Sequence, residues 1–151
     1  MVAITRTFFS GLIALALLIS TPSMAEQYQQ FGDYQVHYNA VNTSFLTPEV
    51  AAASGITRSR ATGFLNVSVL KVQPDGSLKA VNVPVDGSIK ALSGQDIPLP
   101  FRTLRDGDSI YRLATFGIQD GEAMRFTLNV GLERDEPPVS VNFMQRLYVD
   151  P

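Results

Sequence analysis

Side chains that could do chemistry are scarce in this 151-residue sequence: His37 is its one imidazole, and it has no cysteine. Without cysteine there is no disulfide, no thiolate nucleophile, no iron–sulfur ligation and no zinc site that needs sulfur. A single histidine also excludes multi-histidine metal sites. Neither a metal nor a cofactor is expected, and oxygen and amide chemistry is what remains. As a general base, His37 would need an orienting carboxylate and a nucleophile, and spacing identifies neither. It is opposite in phase to Val36 and Tyr38 on an alternating strand, so it is expected to face away from whatever they bury. The pairs Asp106/Asp108 and Asp120/Glu122 each flank a glycine. A calcium cage wants roughly six to eight oxygens, so turn chemistry is the better reading of both pairs. A more promising group is Asn39, Asn42, Arg58 and Arg60, which surrounds a short helical segment. Arginine forks suit carboxylates, and these residues together with His37 are the candidate surface for a partner or ligand. The competing reading is local: asparagines that fix the backbone at strand ends, and arginines that cap carbonyls or pair with Glu49.

The elements that must position these residues read mainly as strands. Apolar residues recur at every second position in Tyr34–Ala40, Leu65–Val69, Val81–Val85, Ile97–Thr103, Met124–Val130 and Val139–Leu147, broken by Gly, Pro and Asp. Met124, Phe126, Leu128 and Val130 make the clearest inward face. Pro84, Pro98 and Pro100 cannot donate to a ladder and predict edges or bulges. Asp106-Gly107 predicts a tight hairpin joining the Phe101 run to the Ile110–Phe116 run, with the inward face of the latter open. Thr47-Pro48-Glu49 followed by an alanine-rich stretch and Gly55 predicts a helix of one or two turns, held against a sheet by Phe45, Leu46 and Val50. Seven to eight short strands with one short helix after the first strand predict an all-β, immunoglobulin-like antiparallel β-sandwich over 26–151.

Residues 1–25 read as a cleavable secretory signal: Arg6 is the basic start, Phe8–Ile19 is apolar apart from Ser10 and Gly11, and Ser23-Met24-Ala25 places small residues before the cut. The apolar run falls short of the roughly 20 residues that span a bilayer, so cleavage after Ala25 and no remaining membrane anchor are expected, with a periplasmic location. Removing 1–25, whose one charge is Arg6, leaves 126 residues and a net charge of −3. That balance is evenly spread and argues against nucleic acid or an anionic membrane as partner.

The stretch Gln30-Phe31-Gly32-Asp33-Tyr34-Gln35-Val36-His37-Tyr38-Asn39-Ala40, with Asn42-Thr43 and Phe45-Leu46-Thr47-Pro48-Glu49-Val50-Ala51 after it, resembles the opening of a family of secreted proteobacterial proteins, domain of unknown function 4426. Gly55–Arg60, Leu65–Leu70, Asp106–Tyr111 and the ending Leu147-Tyr148-Val149-Asp150 are similar to the same family in the same order. The resemblance implies a periplasmic immunoglobulin-like sandwich and brings no functional residue with it. On the residues themselves, the preferred function is a non-catalytic module that contacts another periplasmic protein or a peptide, with strand addition at the proline-marked edges as one route. The alternatives are a small-ligand or carbohydrate-binding domain, and a hydrolase using Asp/Glu with His37.

Overall fold

Period-two alternation builds two antiparallel sheets in the computed structural model, which describes residues 27–92 and 94–151. The signal sequence expected over residues 1–25 lies outside the described residues. In chain order the strands are β1 (Gln27–Phe31), β2 (Tyr34–Asn42), β3 (Thr62–Val72), β4 (Leu78–Ala80), β5 (Val85–Ala91), β6 (Asp96–Pro98), β7 (Arg102–Asp106), β8 (Ser109–Gly117), β9 (Ala123–Val130) and β10 (Val139–Arg146). A 3-10 turn (Thr43–Phe45) and the helix α1 (Pro48–Ser54) join β2 to β3. The first sheet runs β1-β2-β3-β8-β7, with β4 pairing the far end of β3; the second runs β10-β9-β5-β6. The chain is an all-β, immunoglobulin-like antiparallel sandwich.

The core lies between the sheets. Val36, Leu65, Val67 and Ala114 of the first face Ile89, Met124, Leu128 and Val141 of the second. An aromatic column crosses this layer: Tyr38 stacks on Phe143 at 4.4 Å, Phe143 on Phe126 at 4.7 Å, and Phe116 meets Phe126 edge-on at 5.2 Å. These offset and edge-to-face contacts add to the area buried. Met124, Phe126, Leu128 and Val130 are all fully buried, as their alternation predicts.

Several boundaries differ from the sequence expectation, each for a physical reason. β1 carries the polar sequence QYQQF, too polar to show an apolar period, and is held as a hairpin arm by the turn at Gly32, whose φ is +57°. Together with the short strands β4 and β6 it raises the count of described strands to ten and places α1 after the second strand instead of the first. Within the Val81–Val85 run only Val85 enters a strand. Residues 81–84 cross from the first sheet to the second, tied by Val81 N–H to Val69 O at 3.0 Å and by Gly131 N–H to Pro84 O at 3.0 Å. The Ile97–Thr103 run likewise divides, giving β6 to the second sheet and β7 to the first, with Leu99 and Pro100 at the crossing. β6 and β7 are both edge strands, the position the prolines predict.

The Asp106–Ser109 hairpin forms with Gly107 at φ +57° and pairs Leu104 with Tyr111 and Arg102 with Leu113. Both faces of β8 are used. Ala114 and Phe116 enter the main core, whereas Leu113 joins a second cluster with Ile56 and Phe64 on the outer side of the sheet.

Candidate functional site

That second cluster exists because α1 lies over the outer side of the first sheet. Thr47 caps the helix, its Oγ1 accepting from Val50 N at 3.2 Å, and Pro48 occupies the first turn. Gly55 ends it in the left-handed conformation at φ +63°, and Ile56 N then donates to Ala51 O at 2.8 Å. The expected anchors were Phe45, Leu46 and Val50, but Phe45 is 75% exposed and Val50 half exposed. Leu46 packs as expected, but Ala51 and Ile56 take the place of Phe45 and Val50, because the cap turns Ile56 inward onto Phe64 and Leu113. At the helix C-terminus, the Arg102 guanidinium donates to Ser54 O and lies against Gly55, pinning α1 to the edge strand β7.

Between helix and sheet a groove of about 470 Å³ remains. Phe64 and Leu113 form its floor, Leu104 and Tyr111 one side, Val50 and Ala53 the other, and Arg105 and Asp106 stand at the rim. This volume falls in the roughly 300–1,000 Å³ range of small-molecule sites, and the mostly apolar lining is typical of them. Ser54 and Asn66 add polar groups to the lining, and Asn66 Oδ1, closed off from solvent, has no hydrogen-bond partner. Register places Asn66 beside Asn39 on one side and Leu113 on the other.

The five candidate residues from the sequence divide between two places, and none of them lines this groove. His37 and Asn39 lie on the outer side of β2. The His37 ring is buried beneath Tyr28, stacked at 4.9 Å, with Nε2 at 2.9 Å from Gln35 Oε1. Asn39 is exposed. Asn42, Arg58 and Arg60 gather instead at the C-terminal segment. Asn42 is buried and its Nδ2 donates to Tyr148 O at 2.7 Å; Arg58 Nη2 donates to Ser44 O at 3.1 Å; Arg60 O accepts from Asp150 N at 3.1 Å. Thr43 Oγ1 adds a two-way bridge, donating to Ser59 O at 3.0 Å and accepting from Ser59 N at 2.8 Å, and Ser44 Oγ donates to Asp150 Oδ2. Asp120 Oδ1 accepts from Val149 N at 2.9 Å, so this turn carboxylate also serves the clamp. The run Asn42-Thr43-Ser44 therefore fastens the last residues of the chain to the body.

Replacing Asn42 with alanine leaves Tyr148 O without its donor and opens a small void. The expected cost is about 1–3 kcal/mol, with faster amide exchange at Val149 and Asp150. Urea denaturation and hydrogen exchange check this, and an unchanged midpoint with unchanged protection would refute the clamp.

Asn66 and the groove lining escaped the sequence reading, although a signal existed. Gly63-Phe64-Leu65 and Tyr111-Leu113 beside Ala114-Phe116 make β3 and β8 apolar on both faces, which calls for a cover on each side of the sheet. Among the described residues, no three His, Cys, Asp or Glu side chains group as metal ligands, and no helix is long and apolar enough to cross a membrane.

Comparison with known proteins places this geometry. The family profile described as domain of unknown function DUF4426 matches residues 28–150. A crystal structure of a DUF4426 family protein from Pseudomonas aeruginosa PAO1 is similar at 41% identity and a TM-score of 0.71, over 83% of this chain and 97% of that one. FetP of uropathogenic E. coli strain F11, expressed in the periplasm of E. coli for its crystal structure, is similar at 10% identity and a TM-score of 0.57, over 82% of this chain and 93% of its own. At that identity the likeness concerns the fold alone. No functionally curated protein matches the sequence. A profile match over nearly all of the described residues, together with the 41% identical Pseudomonas structure, shows that the chain belongs to the DUF4426 family.

Proposed function

We propose that the protein is a periplasmic binding module that works by recognition rather than by bond making, and that the groove beneath α1 is its binding surface. The observation that carries this reading is the apolar groove of about 470 Å³ on the outer side of the first sheet, where an antiparallel sandwich ordinarily presents polar side chains to water. The signal-like N-terminus supports export, and the periplasmic expression of FetP is compatible with it. The groove also shifts the preferred contact away from strand addition at the proline-marked edges. β6 is only three residues long and β7 only five, which gives an added strand few ladder positions. A hydrolase is less well supported: the Asp120 carboxylate is engaged with Val149 N, and the His37 ring is covered by Tyr28.

The test uses N-phenyl-1-naphthylamine, an apolar dye whose fluorescence rises out of water. The mature protein is expected to bind it. Ala53→Trp, at an exposed helix position lining the groove, is expected to weaken binding about ten-fold or more through loss of space and buried area. Ser140→Trp, on β10 of the other sheet, is expected to leave it unchanged. Equal affinities in all three proteins, or no binding at all, would contradict the reading.

A further inference from the structure

The outer face of the second sheet carries a like-charge pair that the fold does not relieve. Lys90 on β5 stands directly opposite Arg125 on β9, and Arg125 stands opposite Met144 on β10. The strand neighbours Ile89, Met124 and Phe126 are buried, so the period of two turns both cations outward, and both are exposed. Like charges facing each other across a ladder are destabilising. Neither side chain makes a hydrogen bond or ion pair with another of the described residues. Asp96 lies opposite Lys90 on its other side. That leaves Asp96 two strand spacings, about 10 Å, from Arg125, too far to neutralise it.

A hollow of about 220 Å³ opens beside the pair. Ala91 and Ala123 make it, being short where Lys90, Arg125 and Met144 around them are long. Its apolar flanks are Leu92, 76% exposed, and Met144, 51% exposed. No carboxylate is among the described residues that line it.

We propose that this hollow binds an amphipathic anion, whose oxyanion sits between Lys90 and Arg125 and whose short apolar chain lies against Leu92 and Met144. Arg125 offers a planar fork of donors and Lys90 a point charge, so an oxyanion held by both replaces one repulsion with two attractions. The hollow is smaller than the roughly 300–1,000 Å³ of sites that enclose a drug-sized molecule, which suits a headgroup with its chain left along the surface. Charge favours a single free molecule over a membrane plane. Beyond the hollow, Asp96 stands beside Lys90 and Arg146 Nη1 is engaged with Gly121 O at 2.7 Å, so the positive charge does not extend across the face. The site lies on the opposite sheet from the groove beneath α1 and is independent of it.

The experiment titrates hexyl phosphate, inorganic phosphate and 1-hexanol, at matched ionic strength, into isotope-labelled protein spanning residues 26–151. Hexyl phosphate is expected to shift the resonances of Lys90, Arg125 and Met144 saturably, and 1-hexanol to leave those three unmoved. Its apolar chain is expected to make hexyl phosphate bind about five- to ten-fold more tightly than inorganic phosphate. Arg125→Gln is expected to weaken hexyl phosphate about ten-fold. The same variant is expected to raise the thermal midpoint of the ligand-free protein by about 1–3 °C, because it removes the like-charge pair. Lys90→Gln is expected to act in the same two directions, and a residue with only a structural role would not couple weaker binding to higher stability. No saturable shift with hexyl phosphate, equal shifts with 1-hexanol, an affinity unchanged in both variants, or a lowered midpoint in both would overturn the proposal. Binding to vesicles containing phosphatidylglycerol without binding of hexyl phosphate would overturn it too, since the partner would then be a membrane. Each of these results leaves dye binding in the groove beneath α1 untouched.

Discussion

Phe126→Ala is expected to destabilise the protein by about 3–5 kcal/mol. The side chain is fully buried on β9, an interior strand of the second sheet, and its ring is the one that touches both Phe143 and Phe116. Deleting it loses the transfer energy of a large aromatic group and the stacking contacts on two sides. It also leaves a cavity that Met124 and Leu128, pointing the same way from the same strand, cannot fill without leaving their own sites. Domains of this size are commonly stable by only about 5–15 kcal/mol, so the variant should sit near the limit of folding at growth temperature. Urea denaturation followed by circular dichroism measures the loss. A loss below about 1 kcal/mol would mean that the aromatic column does not organise the core.

Gly87→Ala is expected to cost about 3 kcal/mol, the upper end of the ordinary cost of an extra methyl group in a packed site. A Cβ at this position would stand 2.4 Å from Thr127 O and 3.3 Å from Leu128 Cα, both backbone atoms of the neighbouring strand. Main chain cannot step aside as a side chain can, so β5 must separate from β9 around the Gly87–Leu128 pair. Gly63→Ala makes a useful comparison. Its Cβ would meet the Phe116 ring at 2.5 Å, and a ring can tilt, though at the expense of its edge contact with Phe126. The expected order of damage is therefore Gly87→Ala above Gly63→Ala, read from thermal midpoints and from amide exchange along β5. The reverse order would place the tighter approach on the wrong sheet.

How far such positions are legible in the sequence depends on whether the physics is local. The alternation of Met124–Val130, the Thr47–Gly55 cap signals and the Asp106-Gly107 hairpin are local, and each appears in the fold as read. The two crossings between sheets are not local: residues 81–84 and 99–101 keep an apolar alternation although they leave one sheet for the other, and only their prolines hint at it. β1 has no apolar face to read because its register against β2 is set by a turn.

The candidate site was legible in part for a related reason. Asn39 and Asn42 are three positions apart on one strand, and on a strand that spacing puts them on opposite faces. The parity that separates them was present in the sequence, even though their closeness to α1 suggested a common surface. The groove, by contrast, is assembled from β3, β7, β8 and α1, whose residues lie as far apart as Val50 and Leu113. No local pattern joins them. The available hint was that β3 and β8 are apolar on both faces.

The recognition claim is tested most directly by a titration of isotope-labelled protein spanning residues 26–151 with N-phenyl-1-naphthylamine, followed through its amide and side-chain resonances. The account predicts saturable shifts confined to Phe64, Asn66, Leu104, Leu113 and the α1 residues Val50 and Ala53. Shifts centred on the outer side of the second sheet, at Thr127, Asn129 or Asn142, or an unchanged spectrum up to the solubility limit of the dye, would contradict it.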